Sequence, residues 1–576
     1  MIRRDSPPNT PFPAPCQAGR RGGTLLGLIA AVAAVPLVWF LPWLVGAGRE
    51  PIPPLVPGDA APRAAAAVLR VPGDPDDTRV VQAWAEGGFP NWKTQGKVSA
   101  PRVCLAKLQA GRDIEEVNRY LLAAEPWAAS GSTWSAHRGD YDFTEATLTA
   151  ILYLFGEDPS RLWPETVEHL LTTLLLEEGN TPRLAAPYTL GYIVDTENHH
   201  LMTEGSRYLK NQWLFRRGGP GREGNPAYDN RANGMEAWMC AHLRETVEQG
   251  VYEFNAIPYL GYTVQALLNL EAFPESEELR GLARHILDTM NWQYALGSHG
   301  FRRCAPFRRR YNKAHTDSLQ NDSHTQVMRF WCAPESWGYF SGQPGRPHQE
   351  LIAACMPYRV PEAVKAWTLA KPREYFVRMG RGPKACPELY SGAPDFLLSA
   401  GGAFRGQREM IVPRPITLML PDAETRISRC FHIPGNGRWW WWNSTGVHRR
   451  FAVGRSPVRV PEQYSPAAEG GGWAVFTPSD APGLAVAVFS AEELGIIALF
   501  PEGGDGAEEL LARICAANPD SDALREKFFW PDGGNIEYDV KAPRNRWVIR
   551  RVDGTDTDRD FGGWPMWDGD IPTEVF

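Results

Sequence analysis

The spacing of apolar residues changes near Ala370, and that change limits what this chain can fold into. Before it, apolar residues recur at helical spacing. After it, short runs rich in β-branched and aromatic residues are bounded by Gly, Pro and Asp. One layer cannot satisfy both periods, so the pattern calls for a helical region followed by a β-rich one. At 576 residues, the chain is also too long for one ordinary hydrophobic core.

Helices are expected over 142–155, 164–177, 197–213, 234–249, 259–272 and 276–294. In the third, Leu201, Gly205, Tyr208, Leu209 and Trp213 fall close to one face, which makes it amphipathic. Connections such as 217–225 carry Gly and Pro. Successive helices joined in this way point to stacked hairpins, either an open solenoid or a closed α/α toroid. No repeat of fixed period is visible, which argues against the common solenoid families. Strands are expected over 374–377, 416–420, 473–476, 484–489 and 496–500, with one helix over 507–516 between them and the C-terminus. An antiparallel β-sandwich-like domain fits them.

Residues 24–46 are uncharged and long enough for one bilayer crossing, and Arg3, Arg4, Arg20 and Arg21 precede them. An uncleaved anchor is the preferred expectation and a cleaved signal its rival. Either puts the remainder outside the cytoplasm, periplasmic or extracellular. The expected organisation is a short basic cytoplasmic segment (1–23), the anchor or signal (24–46), a Pro-rich linker (47–80), a helical α/α toroid catalytic domain (81–370) and a β-rich domain (371–576). The expected fold class is therefore multidomain α and β, with an N-terminal membrane helix, an α/α toroid of helical hairpins and an antiparallel β-sandwich-like domain. A formal net charge of −7 gives no general attraction to nucleic acid. Nine Cys show no zinc spacing; a Cys304–Cys332 pair is open if the domain is exported, and sequence alone does not fix it.

The chemistry concentrates at Glu197-Asn198-His199-His200, which opens the third helix, and at Tyr252-Glu253 in VYEFNAIPY. A uronic acid has a weakly acidic C5 proton beside its carboxylate. Neutralising that carboxylate makes a carbanion-like transition state reachable. Asn198 suits carboxylate binding, His199 suits a base or a neutralising donor, and Tyr252 suits protonation of the leaving oxygen. Tyr259, at the start of the next helix, competes for the tyrosine role. No metal or cofactor is called for.

The Asn198-His199 pair with Tyr252 after it resembles the Asn-His and Tyr arrangement of α/α-toroid polysaccharide lyases, the alginate lyases and their heparinase-like relatives. The coarse layout over 81–576 is similar as well. The resemblance implies β-elimination of an acidic polysaccharide, with Asn198 neutralising the carboxylate, His199 as base or neutraliser, and Tyr252 as acid or acid/base. Glu197 stands where several of those lyases carry another Asn. Glu197 and Glu253 also open a glycoside-hydrolase reading, with one carboxylate as acid and the other as base. A polysaccharide-binding or assembly protein using the same cleft without turnover is the third reading.

Substrate contacts are expected from Tyr141 and Asp142, from Asn230 and Arg231, and from Asn255. Asp142 stands equally as a helix cap. Arg308 and Arg310, in the basic run RRCAPFRRRYNK, suit bidentate binding of carboxylate or sulfate. His315 and His324 follow in a polar stretch that can line a subsite. The expected partners are an acidic polysaccharide and, through the N-terminal helix, a membrane; the oligomeric state stays open.

Overall fold

A computed structural model of the chain describes residues 52, 75–127, 140–186, 193–251, 259–303, 319, 322–336, 350–379, 388–401, 415–422, 426–434, 445–501, 506–543, 546–560 and 566–568. The helical part comprises α1 (Pro75–Ala85), α2 (Ser99–Ala110), α3 (Ile114–Leu122), α4 (Asp142–Phe155), α5 (Pro164–His169), α6 (Glu197–Arg217), α7 (Met235–Gln249), α8 (Leu260–Ala272), α9 (Glu277–Leu296), α10 (Ser323–Cys332), α11 (Glu350–Cys355) and α12 (Glu362–Leu369). Packing runs in order through α2, α4, α6, α8, α10 and α11, and α11 returns to α1 and α2. Helices α3, α7 and α9 pack on this circuit beside their sequence neighbours, and α12 packs on α9 and α10.

The strands begin at Tyr375. One six-stranded antiparallel sheet contains β1 (Tyr375–Met379), β2 (Glu388–Ala393), β3 (Phe396–Gly401), β4 (Ile416–Met419) and β5 (Phe431–Ile433) in sequence order, with Met566–Asp568 on the outer edge of β1. A second contains β6 (Thr445–His448), β7 (Phe451–Gly454), β8 (Ala468–Gly470), β9 (Trp473–Phe476), β10 (Leu484–Ala491) and β11 (Leu494–Pro501) in the order β8-β9-β10-β11-β7-β6. A four-stranded sheet of Lys527–Phe529, Asn535–Tyr538, Ile549–Val552 and Thr555–Asp556 completes the region, with α13 (Ala507–Ala517) against β8 and β9.

The first sheet is buried on both faces because its side chains alternate between two cores. Tyr375, Val377, Met379, Tyr390 and Leu397 join the helical core. Their neighbours Phe376, Leu389, Phe396 and Leu398 join the core shared with the second sheet. The layers are therefore helices, sheet and sheet, and the first sheet is the middle one.

The seam between helices and sheet is polar as well as apolar. Tyr375 Oη donates to Leu296 O at 2.7 Å. Lys371 Nζ donates to Ala295 O at 2.5 Å and Trp367 O at 2.7 Å, near the C-terminal ends of α9 and α12. Burial pushes this ammonium down to about 7.

The expected fold class needs correction. Among the described residues the chain is a mixed helical and antiparallel-sheet protein, and no helix is long and apolar enough to cross a membrane. The anchor assigned to 24–46 lies outside the described residues. The single-pass anchoring and the extracytoplasmic placement that rested on it are withdrawn. Helix α6 also departs from expectation. It is buried on every side from Glu197 to Leu214 instead of showing one apolar face. Some of its buried charges are paired: Arg207 donates to Glu204 and to Glu177 at 2.6 Å each.

The ring of Tyr375 lies over Gly392, its partner in the ladder. A Cβ at Gly392 would come within 2.3 Å of Tyr375 Oη. Gly392→Ala should therefore displace Tyr375 from Leu296 and lower stability by about 2–4 kcal/mol, measured by urea unfolding. A loss under about 0.5 kcal/mol would contradict this close approach.

Candidate functional site

The site forms where the first turns of α4 and α6 meet. Asp140 precedes α4 with φ +69°, and Tyr141 and Asp142 follow it into the helix. Asp142 does not cap α4. Its Oδ2 instead accepts a hydrogen bond from His199 Nδ1 at 2.7 Å, on the adjacent helix. The other ring nitrogen, Nε2, faces Asp140 Oδ1 at 3.9 Å. Lys97 Nζ reaches Asp140 Oδ2 at 2.5 Å and lies 4.1 Å above the ring of Phe143. The Phe143 ring makes edge contacts with both His199 and Tyr262, at centroid distances of 5.4 and 4.1 Å.

Burial alone would lower the basicity of His199. The Asp142 carboxylate outweighs it through charge and its hydrogen bond, and Asp195 and Asp140 add to it, so the imidazole is held up at about 9. His199 is therefore an imidazolium at neutral pH. Burial raises the Tyr262 phenol, while Arg102 and Lys97 beside it pull the other way. Burial lowers Arg102 to about 10, which leaves it cationic, and it donates to Gln265 Oε1 at 2.8 Å.

Thr196 precedes α6 without capping it; its hydroxyl donates to Asn198 Oδ1. That contact fixes the amide and leaves Nδ2 as the donor end. Asn198 Nδ2 is buried with no hydrogen-bond partner among the described residues, and so is Asp142 Oδ1. Asp140, Asp142 and His199 have ligand-type atoms within 4.8 Å of one another. The Lys97 ammonium and the Asp142–His199 hydrogen bond already engage these atoms, so the arrangement is a charge-paired acid/base group.

The sequence candidates divide. Asp142 and His199 come together, Tyr141 and Asn198 are buried beside them in sequence, and Glu197 is buried in the same first turn as His199. Tyr259, half-buried just before α8, is close enough for its charge to act on Tyr262. Tyr252, Glu253, Asn255, Arg308, Arg310 and His315 lie outside the described residues. Asn230 and Arg231 do not join the group. Asn230 donates to Tyr208 O at 2.7 Å, and Tyr208 is nine residues along α6 from His199, roughly 13 Å of helix axis. Asn230 and Arg231 line a separate cavity of about 210 Å³ with Tyr208 and Glu236.

His324 is fully buried, with Nε2 2.8 Å from Asn291 Oδ1 and Nδ1 3.4 Å from Arg303 Nη1. Burial, with Arg303 beside it, pushes it well below its usual range and keeps it neutral. Arg302 and Arg303, the first two cations of the basic run, are buried in a short antiparallel ribbon with Ser298–His299. Cys332 is a buried free thiol.

Sequence reasoning missed Lys97, Arg102, Phe143 and Tyr262. Tyr262 follows Tyr259 by three residues, about one helical turn, and that spacing was its only signal. No protein-family profile and no curated protein matches the chain.

The raised basicity of His199 makes stability depend on pH. Its contribution is fully present below about 6.5, the unfolded value, and is lost as pH rises through 9. Wild-type protein should lose roughly 3 kcal/mol across that window from this group, and Asp142→Asn should flatten the loss. Denaturant unfolding at several pH values measures it; parallel profiles for the two proteins would refute the pairing.

Proposed function

We propose that the chain is a carbohydrate-active enzyme that cleaves a uronate-containing polysaccharide by β-elimination. The observation that carries the reading is the His199 imidazole held by Asp142 at 2.7 Å, with Asn198, one residue before it, keeping a buried amide donor unpartnered among the described residues. β-Elimination requires the substrate carboxylate to be neutralised before the C5 proton can leave. A cation and an amide donor together supply that.

His199, held protonated at neutral pH, neutralises the carboxylate and does not act as the base. Asn198 Nδ2 donates to the same carboxylate. Proton transfer falls to tyrosines. Tyr262, beside Lys97 and Arg102, is the tyrosine assigned to take the C5 proton once its own has left; burial holds its phenol above the usual range, and the two cations oppose that shift without reversing it. Tyr252 protonates the leaving glycosidic oxygen, the role that the lyase resemblance gives it. The electron pair of the C5–H bond forms the C4–C5 double bond as the C4–O bond breaks. The products are an unsaturated uronate and a new reducing end.

Asp140 and Asp142 bring negative charge to a site meant for an anion. Each is paired, Asp140 with Lys97 and Asp142 with His199, so their field is spent locally. Neither carboxylate of the hydrolase reading gains support. Glu197 is buried in the first turn of α6, and Glu253 lies outside the described residues.

The test is incubation of the protein with acidic and neutral polysaccharides, followed by ultraviolet absorbance of the unsaturated uronate. His199→Ala, Tyr262→Phe and Tyr252→Phe should each lower the rate by about 100-fold or more with unchanged circular dichroism. Reducing ends without ultraviolet absorbance would replace the proposal with hydrolysis. Binding with neither product would make the chain a binding protein.

A further inference from the structure

The segment leading into β5 and the segment following β7 frame a cleft of about 570 Å³, away from the helical residues described above. Its walls are two segments, Arg426 to Cys430 before β5 and Arg459 to Gln463 after β7. They are tied together. His432 N donates to Arg459 O at 3.0 Å, Arg459 N donates to His432 O at 2.7 Å, and Gln463 Nε2 donates to Arg429 O at 3.1 Å. These bonds pre-form the cleft, so a ligand need not pay to order it.

The lining is cationic on a chain whose net charge is −7. It carries Arg426, Arg429 and Arg459 against one carboxylate, Glu462. Arg429 is engaged by Asp422, with Nε to Oδ2 at 2.9 Å. Arg459 is exposed, and its guanidinium has no hydrogen bond or ion pair among the described residues. Ile427 and Cys430, in the cleft wall, pack on the helical core, whereas Phe431 and Ile433 just after them enter the core between the sheets. The cleft therefore opens where the helical and β parts join, a common position for ligand sites. Its volume falls in the range of small-ligand sites and exceeds what a single inorganic anion needs.

We propose that this cleft is a second carbohydrate subsite, which holds an anionic sugar unit of an acidic polysaccharide through the exposed Arg459 guanidinium, with Arg426 in the same lining adding positive charge. A guanidinium offers paired donors that match the two oxygens of a carboxylate or a sulfate ester. The identity of the polymer rests on the lyase reading; the anion selectivity of the cleft does not.

The experiment is calorimetric titration of the full chain carrying His199→Ala, so that no probe is consumed. The probes are an oligogalacturonate, a neutral glucan oligosaccharide of equal length, and inorganic sulfate. The oligogalacturonate should bind more tightly than either other probe, and its affinity should fall with added salt. Arg459→Ala and Arg426→Ala should each weaken it about three- to tenfold, with the melting temperature unchanged. Unchanged affinity in the double variant would overturn the proposal. So would a neutral oligosaccharide that binds equally well, or sulfate that binds as tightly as the oligogalacturonate. The lyase reading is judged separately, by unsaturated product from wild-type protein. Product without arginine-dependent binding removes the cleft alone, and arginine-dependent binding without product removes the lyase alone.

Discussion

The hydrogen bond between Asp142 and His199 joins the first turns of α4 and α6, and the candidate site is arranged around it. Both groups are buried, and removing either would strand the other without its main partner. Such a pair adds little net stability compared with apolar packing, because desolvation offsets much of the attraction. Its effect is positional. One imidazole nitrogen is committed to Asp142, so the other must point toward Asp140 and the Phe143 ring. The pair thus sets both the orientation and the charge of His199, the two properties that carboxylate neutralisation needs.

The surroundings reinforce that state through alternating charge. Asp140 lies between two cations, the His199 imidazolium and the Lys97 ammonium. Lys97 in turn lies over Phe143, whose ring contacts both His199 and Tyr262. Arg102 and Lys97 both act on Tyr262. A substrate carboxylate entering this group would meet cations already held by protein anions. The arrangement favours an exchange of partners over the burial of a new charge, which is the less costly route in a dry site.

Much of the local structure was legible. The α4 bounds follow from its apolar run, and α6 starts at Glu197 as its pattern indicates, although it continues to Arg217. The strands at Trp473–Phe476 and Leu484–Ala491 follow from β-branched and aromatic runs. What was hidden depends on long-range contacts. Nothing local links Asp142 to His199 across 57 residues, and a carboxylate at a helix start reads as a cap. The basic run reads as a stretch free to bind carboxylate or sulfate, yet Arg302 and Arg303 are buried, because the ribbon turns them inward against Leu420 and Tyr294. His324 looked like a subsite ligand because polar residues crowd it in sequence. Its real environment, Asn291 and Arg303, comes from other elements.

The middle sheet explains why the two parts of the chain belong to one site-bearing body. A sheet with one wet face would leave the helices free to move relative to the strands. Here the alternation of β1 to β3 commits each residue to one of two cores, and a slip by one position would exchange every commitment. Tyr375 and Lys371 add directional bonds to the ends of α9 and α12. The helical site and the arginine-lined cleft are therefore held at a fixed separation by packing instead of by a linker. A polymer that spans both would meet a preorganised pair of contacts, and its second contact would cost little further ordering.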